Sequence, residues 1–343
     1  MKQRNATIDY LRGLAALMVC VCHYRHTLPE PLSALAKHGE IGVQIFFVIS
    51  GFIIPYSMEK AGYQLVDFGR FWLKRLVRLQ PTFWAALLFT FLLSRASSHF
   101  KGGAPAFSFS DLAASAVYWR VPSENPVIWT LIVELKYYLF ISLLYPLLFS
   151  RNDMIRRVSF VGCVVLATVL IPYAETLRHA PCFFLGFAAC YLRTARSTPQ
   201  ESLILSILVV ASAVAGSSAL QIAAAVLTSA AILYLPAIHW KLGAFFGAIS
   251  YSLYLVHFPL GVKIVNASLP RFPGESHWVL MPFTIAVCSA TAYALFKLVE
   301  EPSARWSQQI KLSKANTSIG GAKSVDQSPP VQPPLVQEEE RTH

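Results

Sequence analysis

Arg12 and His23 stand eleven residues apart in "IDYLRGLAALMVCVCHYRH", residues 8 to 26, a stretch otherwise apolar enough to cross a bilayer. An ionisable side chain in hydrocarbon is costly unless it is paired or hydrated. At about 100° per residue, eleven steps make three turns plus about 20°, so both residues share one helical face, roughly 16 Å apart along the axis. Asp9 lies one turn before Arg12 and can pair with it. A cation at one mouth and an imidazole deep inside suit an elongated anionic ligand whose reactive end reaches His23. A packing Arg–Asp pair with a hydrogen-bonded core histidine would give the same spacing. Cys22, His23 and His26 suggest a metal, but no second cluster completes a ligand set, and none is expected.

Three other stretches carry polar chemistry. In "FWLKRLVRLQP", residues 71 to 81, Arg75 and Arg78 share a face just before an expected third span. Two guanidiniums can hold phosphates bidentately; ordinary positive-inside anchoring also makes such clusters. In "NPVIWTLIVELKYYLF", residues 125 to 140, Trp129 opens the run, Glu134 lies about seven residues in, and Tyr138 follows one turn on. By helical rise Glu134 and His23, itself about five residues in, reach similar depths. A carboxylate there can fix a histidine tautomer or bind an acceptor hydroxyl, and an internal Glu–Lys pair through Lys136 is the plainer alternative. In "ISYSLYLVHFPL", residues 249 to 260, Tyr254 and His257 are one turn apart and either line a cavity or bond between helices. Ser50, in "GVQIFFVISGFII", has no sequence neighbour to activate it and reads as packing.

The elements that must carry these groups are membrane helices. The chain is 55% hydrophobic and 14% charged over 343 residues, a balance that excludes an ordinary soluble domain. The expected fold is all-α, a polytopic transmembrane bundle of about ten spans near 8–28, 41–58, 80–97, 127–149, 156–174, 180–193, 202–216, 219–238, 244–265 and 278–299. A short piece, 107–119, is expected at the surface. The first run lacks a small-residue cleavage site and reads as a retained span. The net charge of +11 does not point to nucleic acid, because the basic residues cluster in alternate loops, at Lys60, Arg70, Lys74, Arg75 and Arg78, then at Arg151, Arg156 and Arg157. That bias puts both termini in the cytoplasm. The six cysteines lie in or beside apolar runs, and no disulfide is expected. Residues 307–343, rich in Pro, Gln and Glu, read as a disordered cytoplasmic tail. No fused soluble domain is expected at either end.

Taken in order, these stretches resemble the membrane-bound acyltransferase family 3, which O-acetylates bacterial surface and secreted sugars. The resemblance rests on Asp9, Arg12-Gly13 and His23; on "FFVISGF", Phe46 to Phe52; on Arg75, Arg78 and Pro81; on Trp129 to Glu134; on Ile249 to His257; and on Glu300, Glu301 and Pro302. It covers residues 5 to about 306, as one transmembrane domain. Leu135 and Lys136 depart from the family, whose members often carry a second acid and then Gln there. The resemblance implies an O-acyltransferase of the bacterial inner membrane, with acetyl-CoA as donor and a hydroxyl of a carbohydrate or glycolipid as acceptor. It implies that Arg12, Arg75 and Arg78 bind the donor. His23 would act as general base or transient acyl carrier, and Glu134 would orient His23 or the sugar. Asp9, Trp129, Tyr138, Tyr254 and His257 would line the substrate path. The rival readings are a proton-coupled transporter and a flippase-like partner without acyl-transfer chemistry.

Overall fold

The computed structural model describes residues 6–103, 107–236, 240–271 and 278–312, which lie within one compact unit, Met1–Ser313. From residue 313 on, the expected tail falls outside the described residues. The described chain is helical throughout: α1 Ala6–His23, α2 Leu32–Lys37, α3 Gly42–Ala61, α4 Phe68–Lys101, α5 Phe109–Ala116, α6 Trp129–Leu148, α7 Asp153–Leu170, α8 Ala180–Arg193, α9 Pro199–Ala213, α10 Ala219–Tyr234, α11 Lys241–Val256, α12 Val262–Ser268, α13 Leu280–Leu295 and α14 Glu301–Gln309. Five-residue π-helical turns join α11 to α12 at His257–Gly261 and α13 to α14 at Phe296–Glu300.

Each of the ten expected spans coincides with a helix. Six segments are long and apolar enough to cross a membrane: Ala6–His23, Leu32–Ala61, Leu65–Phe100, Pro126–Leu148, Lys241–Arg271 and Leu280–Gln309. Pro199–Ala213 and Ala219–Tyr234 are shorter apolar helices. This is a multi-pass membrane protein. Polar caps start the shorter helices: Asn152 Oδ1 accepts from the Met154 and Ile155 amides, and Thr198 and Ser218 cap α9 and α10. Gly62, at φ 65°, ends α3.

Two boundaries differ from the sequence reading. α1 stops at His23, so His23 closes its helix instead of lying five residues inside it. α4 begins at Phe68, not near 80, and puts Arg75 and Arg78 within the helix. Its 34 residues extend about 51 Å, longer than a bilayer core. Side chains of neighbouring helices support the turns around Pro81. Ser307, Ser303 and Tyr251 donate to the carbonyls of Lys74, Arg78 and Leu79 at 3.0, 3.3 and 3.1 Å, which is how membrane helices accommodate proline. The segment 107–119 lies at the surface as expected, packed on α4 by one face. It runs back along α4, with Phe107 against Phe91, Tyr118 stacked on Phe83 at 4.6 Å, and the Tyr118 hydroxyl donating to Gln80 at 3.1 Å. Its other face exposes Phe109, Val117 and Trp119.

Two large apolar clusters make the core. One joins α3, α6, α7 and α8 through residues such as Phe52, Ile141, Phe160 and Phe187. The other joins α1, α4, α11 and α13 through Cys20, Leu87, Leu253 and Cys288. A small third cluster of Val19, Val127 and Tyr254, with Val43, Phe46 and Phe258 against it, lies at the site described next.

Candidate active site

Polar side chains from five helices converge on a cavity of about 150 Å³. Arg12 comes from α1, Ser50 from α3, Arg75 and Arg78 from α4, Thr130, Glu134 and Tyr138 from α6, and Tyr251 and Tyr254 from α11. The i, i+3 spacing of the two α4 arginines turns both inward. Arg12 and Arg75 are within electrostatic reach of Arg78's guanidinium, and Glu300 lies near enough to offset Arg12 and Arg78. Glu300 is itself held by the Ser252 hydroxyl and amide, at 2.6 and 3.2 Å. The Arg75 guanidinium lies 5.4 Å from the Phe71 ring and 5.6 Å from the Tyr138 ring, and its Nη2 donates to Ser57 at 3.2 Å. Its Nε is buried with no acceptor in reach.

Glu134 accepts from the Tyr138 hydroxyl at 2.5 Å and from the Ser50 hydroxyl at 3.1 Å. It therefore belongs to the arginine cavity, connected to Arg75 through the Tyr138 ring. The orienting partner of His23 is not Glu134 but His257. His257 Nδ1 faces the carbonyls of Tyr254 and Leu253 at 2.7 and 3.2 Å. Carbonyls only accept, so Nδ1 carries the proton and Nε2 presents a lone pair. That lone pair lies 3.2 Å from His23 Nδ1, which is also 2.9 Å from the Val19 carbonyl. Facing two acceptors, His23 Nδ1 must donate, and neutral His23 keeps its own lone pair on Nε2. Tyr24 fixes the far histidine by donating to the His257 carbonyl at 2.7 Å.

His23 does not line the arginine cavity. Val19, Val43, Phe46, Val127 and Tyr254 form an apolar collar between the two, with the Phe46 and Tyr254 rings edge to face at 5.6 Å. Phe258, which also packs against Val19, Val127 and Tyr254, lies perpendicular to the His23 ring at 5.1 Å. Of the other residues singled out in the sequence, Asp9 lies at the α1–α11 crossing beside Gly247. Trp129 packs on His179 and Phe47, outside the cavity. Lys136 points to a separate apolar cavity of about 250 Å³ behind α6. Ser50 and Thr130 are the cavity residues that sequence reasoning passed over, because lone hydroxyls in membrane helices usually serve packing. Among the described residues no group of three His, Cys, Asp or Glu side chains could hold a metal, and the six cysteines are free thiols.

Comparison with known proteins adds the family. Residues 5–296 match the model of an acyltransferase domain. The chain is 26% identical over 199 residues to an O-acetyltransferase OatA of Staphylococcus aureus, covering 52% of this chain and 31% of that protein. It is 29% identical over 150 residues to a peptidoglycan O-acetyltransferase OatA of Listeria monocytogenes, covering 39% of this chain and 23% of that one. The matches thus span less than a third of the length of these relatives. No solved structure matches.

Proposed function

The chain belongs to the acyltransferase family, and on that premise we propose that it moves an acyl group, acetyl first among them, from acyl-CoA to a carbohydrate hydroxyl in the bacterial inner membrane. The observation that carries this reading is the convergence of Arg12, Arg75 and Arg78 on one cavity. Three guanidiniums in one partly buried cavity, offset only in part by Glu300 and Glu134, are costly, and a polyanionic donor supplies the remaining charge. The cationic cavity lies at the end of α1 that carries the N-terminus, the cytoplasmic end by the distribution of basic loops. A cell-wall glycan is the acceptor to test first, because the relatives act, by their names, as O-acetyltransferases, one of them on peptidoglycan.

In this mechanism Arg75 and Arg78 hold donor phosphates by charge-assisted hydrogen bonds, and Arg12 adds charge. The collar surrounds the thioester and excludes water. His23 Nε2 takes the acceptor's proton as the hydroxyl oxygen attacks the thioester carbonyl. It then returns that proton to the departing sulfur, so the thiol and the ester form with the charge balanced. His257 keeps the proton of His23 on Nδ1 throughout. Glu134, held by Ser50 and Tyr138, sets the polarity of the cavity wall facing the donor arm.

The test uses membranes holding wild type or His23→Ala at matched levels, supplied with radiolabelled acetyl-CoA. The expected result is label in envelope glycan that falls about 10²–10⁴-fold in the variant, the usual contribution of a general base. Equal labelling by the two would remove His23 from the chemistry. No consumption of any acyl-CoA by the wild type would remove the acyltransfer reading and favour a carrier.

A further inference from the structure

Phe258, packed on His23, also lines a second void, which shares no lining residue with the arginine cavity. Beyond Phe258 a cleft of about 1040 Å³ opens between the C-terminal end of α4, the segment before α6, and α12. It is far larger than the arginine cavity. Phe258 itself is one of its walls, so a single ring both faces the cleft and covers the His23 imidazole. That ring sits in the π-helical turn His257–Gly261, a distortion that recurs at functional sites. The turn makes consecutive residues do different work: His257 bonds to His23, and Phe258 closes the cleft over it.

The cleft's chemistry differs from the cavity's. Glu124 and Lys263 face each other across its wall at 2.6 Å, both partly exposed. Their charges cancel while leaving acceptor and donor capacity toward the cleft. Ser123 and the exposed Asn266 add neutral polar groups, and the Phe100 ring, 88% exposed, offers an apolar face. Arg271 also lines the cleft, with one guanidinium nitrogen donating to the Ala267 carbonyl. Hydroxyls beside a flat aromatic surface suit a neutral sugar, where a polyanion would find a single arginine in place of the three of the inner cavity. Resting on the acyl-transfer reading above, we propose that this cleft is the acceptor site. A glycan binds there from the side of the membrane opposite the arginine cavity, with Glu124, Lys263 and Asn266 hydrogen-bonding its hydroxyls. The hydroxyl to be acylated reaches His23 Nε2 when Phe258 swings aside. Donor and acceptor then meet at the histidine from opposite faces, and neither has to cross the bilayer.

The test uses the full-length purified protein, with a soluble N-acetylglucosamine oligomer as acceptor probe. Asn266→Trp fills the cleft from an exposed position. It should raise the KM for the oligomer at least tenfold and the KM for acetyl-CoA by far less. A second readout does not depend on turnover. Asn266→Cys should react with a membrane-impermeant maleimide, and the oligomer, but not CoA, should slow that reaction. An unchanged oligomer KM in Asn266→Trp, or protection of the introduced thiol by CoA instead of the oligomer, overturns the acceptor assignment and leaves acyl transfer intact. Absence of CoA release by the wild type overturns acyl transfer, and this inference with it.

Discussion

Arg75 shows how one side chain gathers a site. Its guanidinium is held between two aromatic rings and the Ser57 hydroxyl, yet keeps one buried donor unused. Arg75→Ala is expected to raise the KM for acyl-CoA about ten- to a hundredfold, since hydrogen bonds to charged groups contribute about 1.5–3 kcal/mol, with a smaller change in kcat. Arg75→Lys should not restore it, because an ammonium cannot reproduce the planar fork. Steady-state kinetics with varied donor checks both; an unchanged KM would place the phosphates elsewhere. Residues of this kind were legible in the sequence. A charge inside an apolar run is conspicuous because it is expensive, and Arg12, Arg75, Arg78 and Glu134 do meet in one cavity with Tyr138 and Tyr254. The partnership of His23 with His257 was not legible. It depends on how α1 and α11 are registered against each other, 234 residues apart in the chain, and nothing local encodes that register.

That register is set by close contact between helices. A Cβ added at Gly247 would lie 2.3 Å from the Asp9 carbonyl oxygen, and one at Gly13 would lie 2.8 Å from the Gly247 nitrogen. α1 and α11 therefore touch backbone to backbone, as small residues allow in membrane bundles. α3 and α8 meet the same way through Gly51 and Gly186. Gly247→Ala must push α11 away from α1 and with it His257 from His23. It is expected to cost about 1–3 kcal/mol of stability, the usual penalty of overpacking, and to lower kcat more than it raises either KM. Gly162, in α7, has nothing within 4 Å of an added Cβ. Gly162→Ala is expected to stabilise the fold by roughly 0.4–1 kcal/mol through helix propensity and chain entropy, with kinetics unchanged. Thermal unfolding in detergent read beside kcat separates the two, and equal effects would refute the contact argument. Apolar periodicity located the helices well but not their ends. Lys74, Arg75, Arg78 and Gln80 broke the apolar window before α4, although the helix continues through them because its polar face is covered by α14 and the cavity. The segment 107–119 was legible as a surface piece too short to span, but its packing on α4 through Phe107 and Tyr118 was not.

For the whole molecule, the distribution of basic residues and the arrangement of helices agree on one topology. The N-terminal end of α1, the C-terminal end of α3, the start of α4 and helix α14 gather at the same end of the bundle. A reporter fused after His343 should read cytoplasmic, and one inserted after Gly103 should read on the opposite side. Activity of a cytoplasm-dependent and an export-dependent reporter at each site checks this, and a reversed pattern would exchange the sides assigned to the arginine cavity and the outer cleft.

The apolar collar of Val19, Val43, Phe46, Val127 and Tyr254 has a consequence that concerns the cell more than the reaction. The arginine cavity and the outer cleft both carry polar side chains in their walls, and two hydrogen-bonded imidazoles can pass protons. The collar is then electrical insulation. On the acyl-transfer proposal it interrupts the chain of water that would otherwise short-circuit the proton gradient, and an acyl arm lying within it acts as a stopper during each turnover. Trimming Phe46 to a smaller side chain would widen the route for substrates and let current leak, so the tolerance of the membrane potential limits how open this site can become.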